Sequence, residues 1–132
     1  YEHSPEREIG VYPVTLTMQG LTDPHVSLFG KNIETGHWHG DMPGLTEDAV
    51  VLATSQGCPR QIIRFSPKHY AFQAHLEFDP DAIELLIAAD GEEKLREQSE
   101  KLPFVQTPEE LRGNDYSEMN AKLYVFLDSL VN

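Results

Sequence analysis

The chain has 132 residues, 39% hydrophobic and 24% charged, with 22 acidic against 10 basic side chains and a formal net charge of −12. That length suits one domain, and the acidic surplus argues against a nucleic-acid backbone or an anionic membrane surface as partner, because like charges repel. One cysteine, Cys58, excludes an internal disulfide framework and a thiolate zinc cluster, and it fits a reducing compartment, so a cytoplasmic location is expected.

No run approaches the ~20 apolar residues of a membrane span. The chain opens on Tyr1 with no start signal or leader, so residues 1–132 are expected to be the later part of something longer. Residues 12–17, Tyr-Pro-Val-Thr-Leu-Thr, alternate with period two and predict a strand, with Pro13 at its start or on an edge. Asp23 and Pro24 predict a short helix through Phe29, with Asp23 as its N-cap and Gly30 closing it. Residues 33–39 predict a second strand that ends in a polar loop, Gly40-Asp41-Met42-Pro43-Gly44. Strands over 49–54, 61–65 and 70–75 follow, joined by tight turns that imply antiparallel or mixed pairing of neighbours.

After Phe78 the apolar period changes. Asp79-Pro80 caps a predicted helix carrying Ile83, Leu86, Ile87 and then Leu95 at helical spacing, with residues 92–101 as its charged, solvated extension. Pro103 interrupts it. Thr107-Pro108-Glu109-Glu110 combines an N-cap, Pro at the first helical position and an acid placed to bond back to the cap. A last helix over 115–130 places Met119, Leu123, Phe126, Leu127 and Leu130 on one face. Strands first and helices last suit an α+β domain, whose sheet would be bare on one face unless further helices cover it.

Three groups of residues could carry chemistry. In Phe72-Gln73-Ala74-His75-Leu76-Glu77, His75 and Glu77 stand roughly 6.5–7 Å apart along a strand, on one face of it. They can share a hydrogen bond if the strand turns at its end, and the carboxylate would then fix the imidazole tautomer as the third member of a triad does. The helix starting at Asp79 puts the pair at a strand-to-helix junction, where sites collect in α/β proteins; the same spacing also suits an ordinary surface pair. His37-Trp38-His39-Gly40-Asp41 matches the opening of the His-x-His-x-Asp-His pattern of binuclear zinc hydrolases, but Met42 stands where the last histidine belongs. Strand-end histidines bonded to nearby backbone fit this stretch too. Cys58 lies in the turn Gln56-Gly57-Cys58-Pro59, away from any helix N-terminus, and reads as a structural thiol.

Ala71-Phe72-Gln73-Ala74-His75-Leu76-Glu77 resembles the Gly-x-Gln-x-His-Pro-Glu signature of class I glutamine amidotransferases. Trp38-His39-Gly40-Asp41 is similar to the Ser-His-Gly-Asp element in the glutaminase domain of guanosine monophosphate synthetase, and Val50-Val51-Leu52-Ala53-Thr54-Ser55 to that family's apolar strand ending in Ala-x-Ser. The three occur in the family's order, and the likeness is closest to stand-alone glutaminase-like proteins related to that synthetase domain. It covers residues 9–87 well and the C-terminal helix more loosely.

The resemblance implies the C-terminal half of a three-layer α/β domain with a mixed sheet and covering helices. It implies glutamine as substrate, with the side-chain amide hydrolysed to glutamate and ammonia by a Cys-His-Glu triad. His75 would be its general base and acid and Glu77 the orienting carboxylate; Trp38 and His39 would line the glutamine pocket. No cofactor and no metal are implied. The nucleophile and its Gly-x-Cys-x-Gly turn would come from an N-terminal half, so residues 1–132 would form one incomplete domain, inactive alone, with a synthetase or ammonia-accepting domain as a further partner. Ala71 and Leu76 depart from the glycine and proline of the signature. Three rivals stay open: a γ-glutamyl peptide hydrolase with the same triad, a zinc-dependent hydrolase built on His37, His39, Asp41 and His75, and a non-catalytic relative.

Overall fold

A computed structural model describes residues 2–42 and 44–131; Tyr1, Pro43 of the predicted polar loop, and Asn132 lie outside them. Five strands, β1 (Glu2–Leu16), β2 (Asn32–Met42), β3 (Val50–Thr54), β4 (Ile62–Ser66) and β5 (His69–Phe72), form one sheet in the order β2-β1-β3-β4-β5. All neighbouring strands pair antiparallel, and among the described residues a parallel contact is confined to the bridge from Ile9 to Val105.

β1 begins ten residues earlier than the alternation of 12–17 predicts. Its long ladder with β2, from Glu2 opposite Met42 to Thr15 opposite Asn32, holds the polar stretch in strand form, and a register irregularity between His3 and Glu8 takes up Pro5. The same pairing turns Gly40, Asp41 and Met42, expected in a loop, into the end of β2. β5 is shorter than predicted. It stops at Phe72, and the chain turns so that His75 makes an isolated antiparallel bridge with Gly36 of β2. β5 and β2 are the two edges of the sheet, so this bridge curls one edge round to the other.

Helix α1 (Met18–Thr22) has no periodic apolar signal and is set by its cap, the Thr17 hydroxyl accepting from the Gly20 amide. Asp23 does not open a helix at Pro24. Its Oδ1 accepts the His25 and Val26 amides, and a short 3-10 helix starts only at Val26–Phe29. Asp79 caps α2 (Pro80–Asp90) through the Ala82 amide. α3 (Glu92–Lys101) follows after Gly91 and buries Leu95. Thr107 and Glu110 form the reciprocal capping box of α4 (Pro108–Gly113). α5 (Ser117–Val131) starts two residues after the predicted Asp115, whose carboxylate takes the Ser117 amide.

The core lies between the sheet and these helices, with Ile9, Val14, Leu52, Ile62, Ile83, Ile87, Leu95 and Leu111 fully enclosed. α5 closes the β4–β5 end, where the Phe126 ring stacks on Phe29 at 5.4 Å and meets Phe72 edge-on at 5.3 Å. Leu127, expected on the buried face, stays half-exposed beside Tyr124 and Val125. Among the described residues no helix is long and apolar enough to cross a membrane.

Candidate active site

The bend after β5 places the two residues that the triad spacing singled out. His75 exchanges both backbone hydrogen bonds with Gly36, at 2.7 and 2.8 Å, so its main chain is fixed to the edge strand β2. Its ring stacks on Phe78, with centroids 4.5 Å apart and planes within 8°. Nδ1 lies 2.6 Å from Oε1 of Glu77. A carboxylate only accepts, so Nδ1–H donates and Nε2 carries the lone pair, which is the tautomer a general base requires. His75 is partly open and Glu77 well exposed, so the pair faces outward.

Two residues that support this geometry carry no local sequence signal. A side chain on Gly36 would overlap the Phe78 ring, so glycine is what lets Phe78 lie under the imidazole. Asn120, reaching across from α5, donates to the Leu76 and Phe78 carbonyls at 2.6 and 3.0 Å and holds the backbone on either side of Glu77. Their sequence separation from His75 hides them from any motif.

The other predicted positions are scattered. Trp38 is half-buried, with its indole N–H donated to Asp90 at 2.9 Å. His39 turns inward. Asp41 pairs at the surface with His3 at 3.4 Å, and its carbonyl accepts the Gln73 side-chain amide. The proposed zinc set of His37, His39, Asp41 and His75 is therefore not assembled, since Asp41 and His75 point to other partners. Cys58 is buried, its thiol 3.8 Å from the Arg60 carbonyl, and burial pushes its pKa up, away from the thiolate. That burial outweighs the nearby Arg60 charge, which alone would favour the thiolate.

The two histidines of β2 instead meet Glu8, which sits opposite His39 in the β1–β2 ladder. Burial, first, and the neighbouring imidazoles push His37 down to about 3 and His39 down to about 4, so both are neutral near pH 7. Desolvation raises Glu8, against bonds from Ser55 and Gln61 at 2.7 Å each that favour its charged form. Sequence reading missed Glu8 because its partners are supplied by strand register.

Comparison with known proteins gives one direction. No family model matches the chain. It is 48% identical over 127 residues to the glutamine amidotransferase-like protein YfeJ of Salmonella typhimurium, covering 96% of this chain and 52% of that protein. The crystal structure of SMU.1228c superposes with a TM-score of 0.95 at 53% identity, over 99% of this chain and 55% of that one. A glutamine amido transferase from Methylobacillus flagellatus shares the fold, with a TM-score of 0.83 at 22% identity, over 98% of this chain and 53% of that one. The chain thus spans about half the length of the relatives it matches.

Proposed function

We propose, on its likeness to a glutamine amidotransferase-like protein, that the chain is part of a class I glutamine amidotransferase and that His75 and Glu77 are two members of a Cys-His-Glu triad hydrolysing the side-chain amide of glutamine. The observation that carries this reading is the 2.6 Å bond from His75 Nδ1 to Glu77, made on a main chain fixed at both backbone positions by Gly36. Residues 1–132 then form the later part of one domain. The nucleophilic cysteine and the amide donors for the oxyanion come from the half of the relatives that this chain does not span.

In this mechanism His75 Nε2 takes the thiol proton as sulfur attacks the amide carbon. The imidazolium, held by Glu77, passes that proton to the departing nitrogen; the C–N bond breaks, ammonia leaves and a γ-glutamyl thioester remains. Water then attacks the thioester carbon, giving its proton to Nε2; the C–S bond breaks, glutamate is released and the thiol is restored. Trp38, on the strand that anchors His75, borders the glutamine side chain in this reading, whereas His39 is turned inward toward Glu8. The ammonia would pass to an acceptor on a synthetase domain or subunit.

The test is ammonia release. Full-length protein supplied with glutamine is expected to release ammonia and glutamate in equal amounts, and residues 1–132 alone are expected to release none. Turnover by the isolated chain would refute the split-site reading. Faster turnover of γ-glutamyl peptides than of glutamine by the full-length protein would reassign the triad to peptide hydrolysis.

A further inference from the structure

We propose that Glu8, His37 and His39 form a binding site for one divalent transition-metal ion of the zinc class, held between β1 and β2. The inference is independent of the amide-hydrolysis reading, because none of the three belongs to the His75–Glu77 pair.

The geometry is that of a ligand set. His37 Nδ1 and His39 Nε2 are 3.2 Å apart, and Glu8 Oε1 lies 3.8 Å from the first and 3.4 Å from the second. Donors around a tetrahedral ion at about 2.1 Å stand about 3.4 Å from one another, so one ion fits all three without movement of the backbone. Two imidazole nitrogens and one carboxylate select zinc and its transition-metal neighbours over magnesium or calcium, which prefer all-oxygen shells.

The surroundings orient two of the three donors, His37 and Glu8, inward. His37 Nε2 lies 3.3 Å from the Tyr12 carbonyl and 2.9 Å from the Thr35 hydroxyl. A carbonyl only accepts, so Nε2 carries the proton and the lone pair of Nδ1 faces the cluster. Glu8 is fixed by Gln61 on Oε1 and Ser55 on Oε2, which leaves Oε1 a further lone pair. A side chain at Gly57 would press on the Glu8 carboxyl, so the position is kept small where the carboxylate sits. Outer partners of this kind set ligand tautomer and direction in metal sites.

Charge points the same way. Glu8 is fully enclosed, and the two imidazoles of β2 face it in the cluster. An enclosed carboxylate without a cation is costly, and a divalent ion supplies the missing charge. His39, with 7% of its side chain exposed, is the member an incoming ion reaches first.

The experiment loads full-length protein with zinc ion, dialyses it and measures bound metal by mass spectrometry. One zinc per chain is expected in the wild type and in His75→Asn, with at least a tenfold lower content in Glu8→Gln and in His39→Asn. Less than a tenth of an ion per wild-type chain overturns the proposal, as does undiminished binding in Glu8→Gln or loss of the ion only in His75→Asn. The wild type gives a second readout that needs no variant. Saturating zinc is expected to raise Tm by about 5 °C or more, and magnesium not at all. No shift with zinc, or an equal shift with magnesium, overturns it too.

Discussion

In the full-length protein, His75→Asn is expected to lower kcat for glutamine hydrolysis by about four to six orders of magnitude, the scale seen when one member of a hydrolytic triad is removed. Asparagine can still hydrogen-bond Glu77 but cannot take a proton from a thiol or return one to ammonia. The fold should be spared, because His75 is tied to Gly36 by its backbone, which the substitution leaves in place. Thermal melting near the wild-type Tm, with activity lost, separates loss of the base from loss of structure. Glu77→Gln should cost less, since the exposed carboxylate only orients the ring and offsets its charge. Steady-state kinetics on the two variants checks both statements; a His75→Asn variant within tenfold of wild type would remove His75 from the chemistry.

Asp23→Ala is expected to destabilise the chain by about 3 kcal/mol, the cost of leaving a buried charged network without its acceptor. The Asp23 side chain is fully enclosed and accepts from two backbone amides, the Tyr70 hydroxyl at 3.0 and 3.1 Å and the Arg64 guanidinium at 2.6 Å. It ties the turn after α1 to β4 and β5, so its loss frees the 3-10 helix that carries Phe29. In a domain of this size that is a fall of about 10 °C in Tm. Desolvation acts to raise this carboxyl, and the backbone amides, Arg64 and Tyr70 outweigh it, so its pKa lies below the ordinary carboxylate value. The stabilisation is therefore complete above about pH 4 and is lost as pH falls through the lowered pKa. Melting both proteins at pH 7 and at pH 2.5 should show the gap between them narrowing at the lower pH; an unchanged gap would mean that Asp23 acts by packing alone.

What could be read beforehand was what a few neighbouring residues decide among themselves. Asp79-Pro80 and the Thr107–Glu110 box fix their helix starts within one turn, and both stand where their chemistry requires. His75 and Glu77 were legible for the same reason: only two positions separate them, and the bend that lets them meet follows from the helix starting at Asp79.

The remainder was decided by distant partners. Pro5 and Gly10 argue locally against a strand running from Glu2, yet pairing with β2 imposes one. Asp23-Pro24 has the local form of a helix start, but the carboxylate is drawn into the Arg64–Tyr70 network and the helix waits until Val26. Glu8 meets Gln61 across 53 residues, and Asn120 meets Leu76 across 44, distances at which no motif operates. The histidines of β2 suggested a metal-type cluster, but its carboxylate is Glu8 across the ladder instead of Asp41 along the strand.

The most direct measurement is the pH dependence of thiol alkylation in the full-length protein, wild type against His75→Asn, with the modified cysteine identified by mass spectrometry. A thiol paired with an imidazole exists as thiolate well below its ordinary pKa of about 8.5. One cysteine outside residues 1–132 should react rapidly at pH 6.5 in the wild type and about a hundredfold more slowly in the variant, while buried Cys58 stays unmodified in both. Identical profiles in the two proteins, or rapid modification of Cys58 alone, would contradict the account.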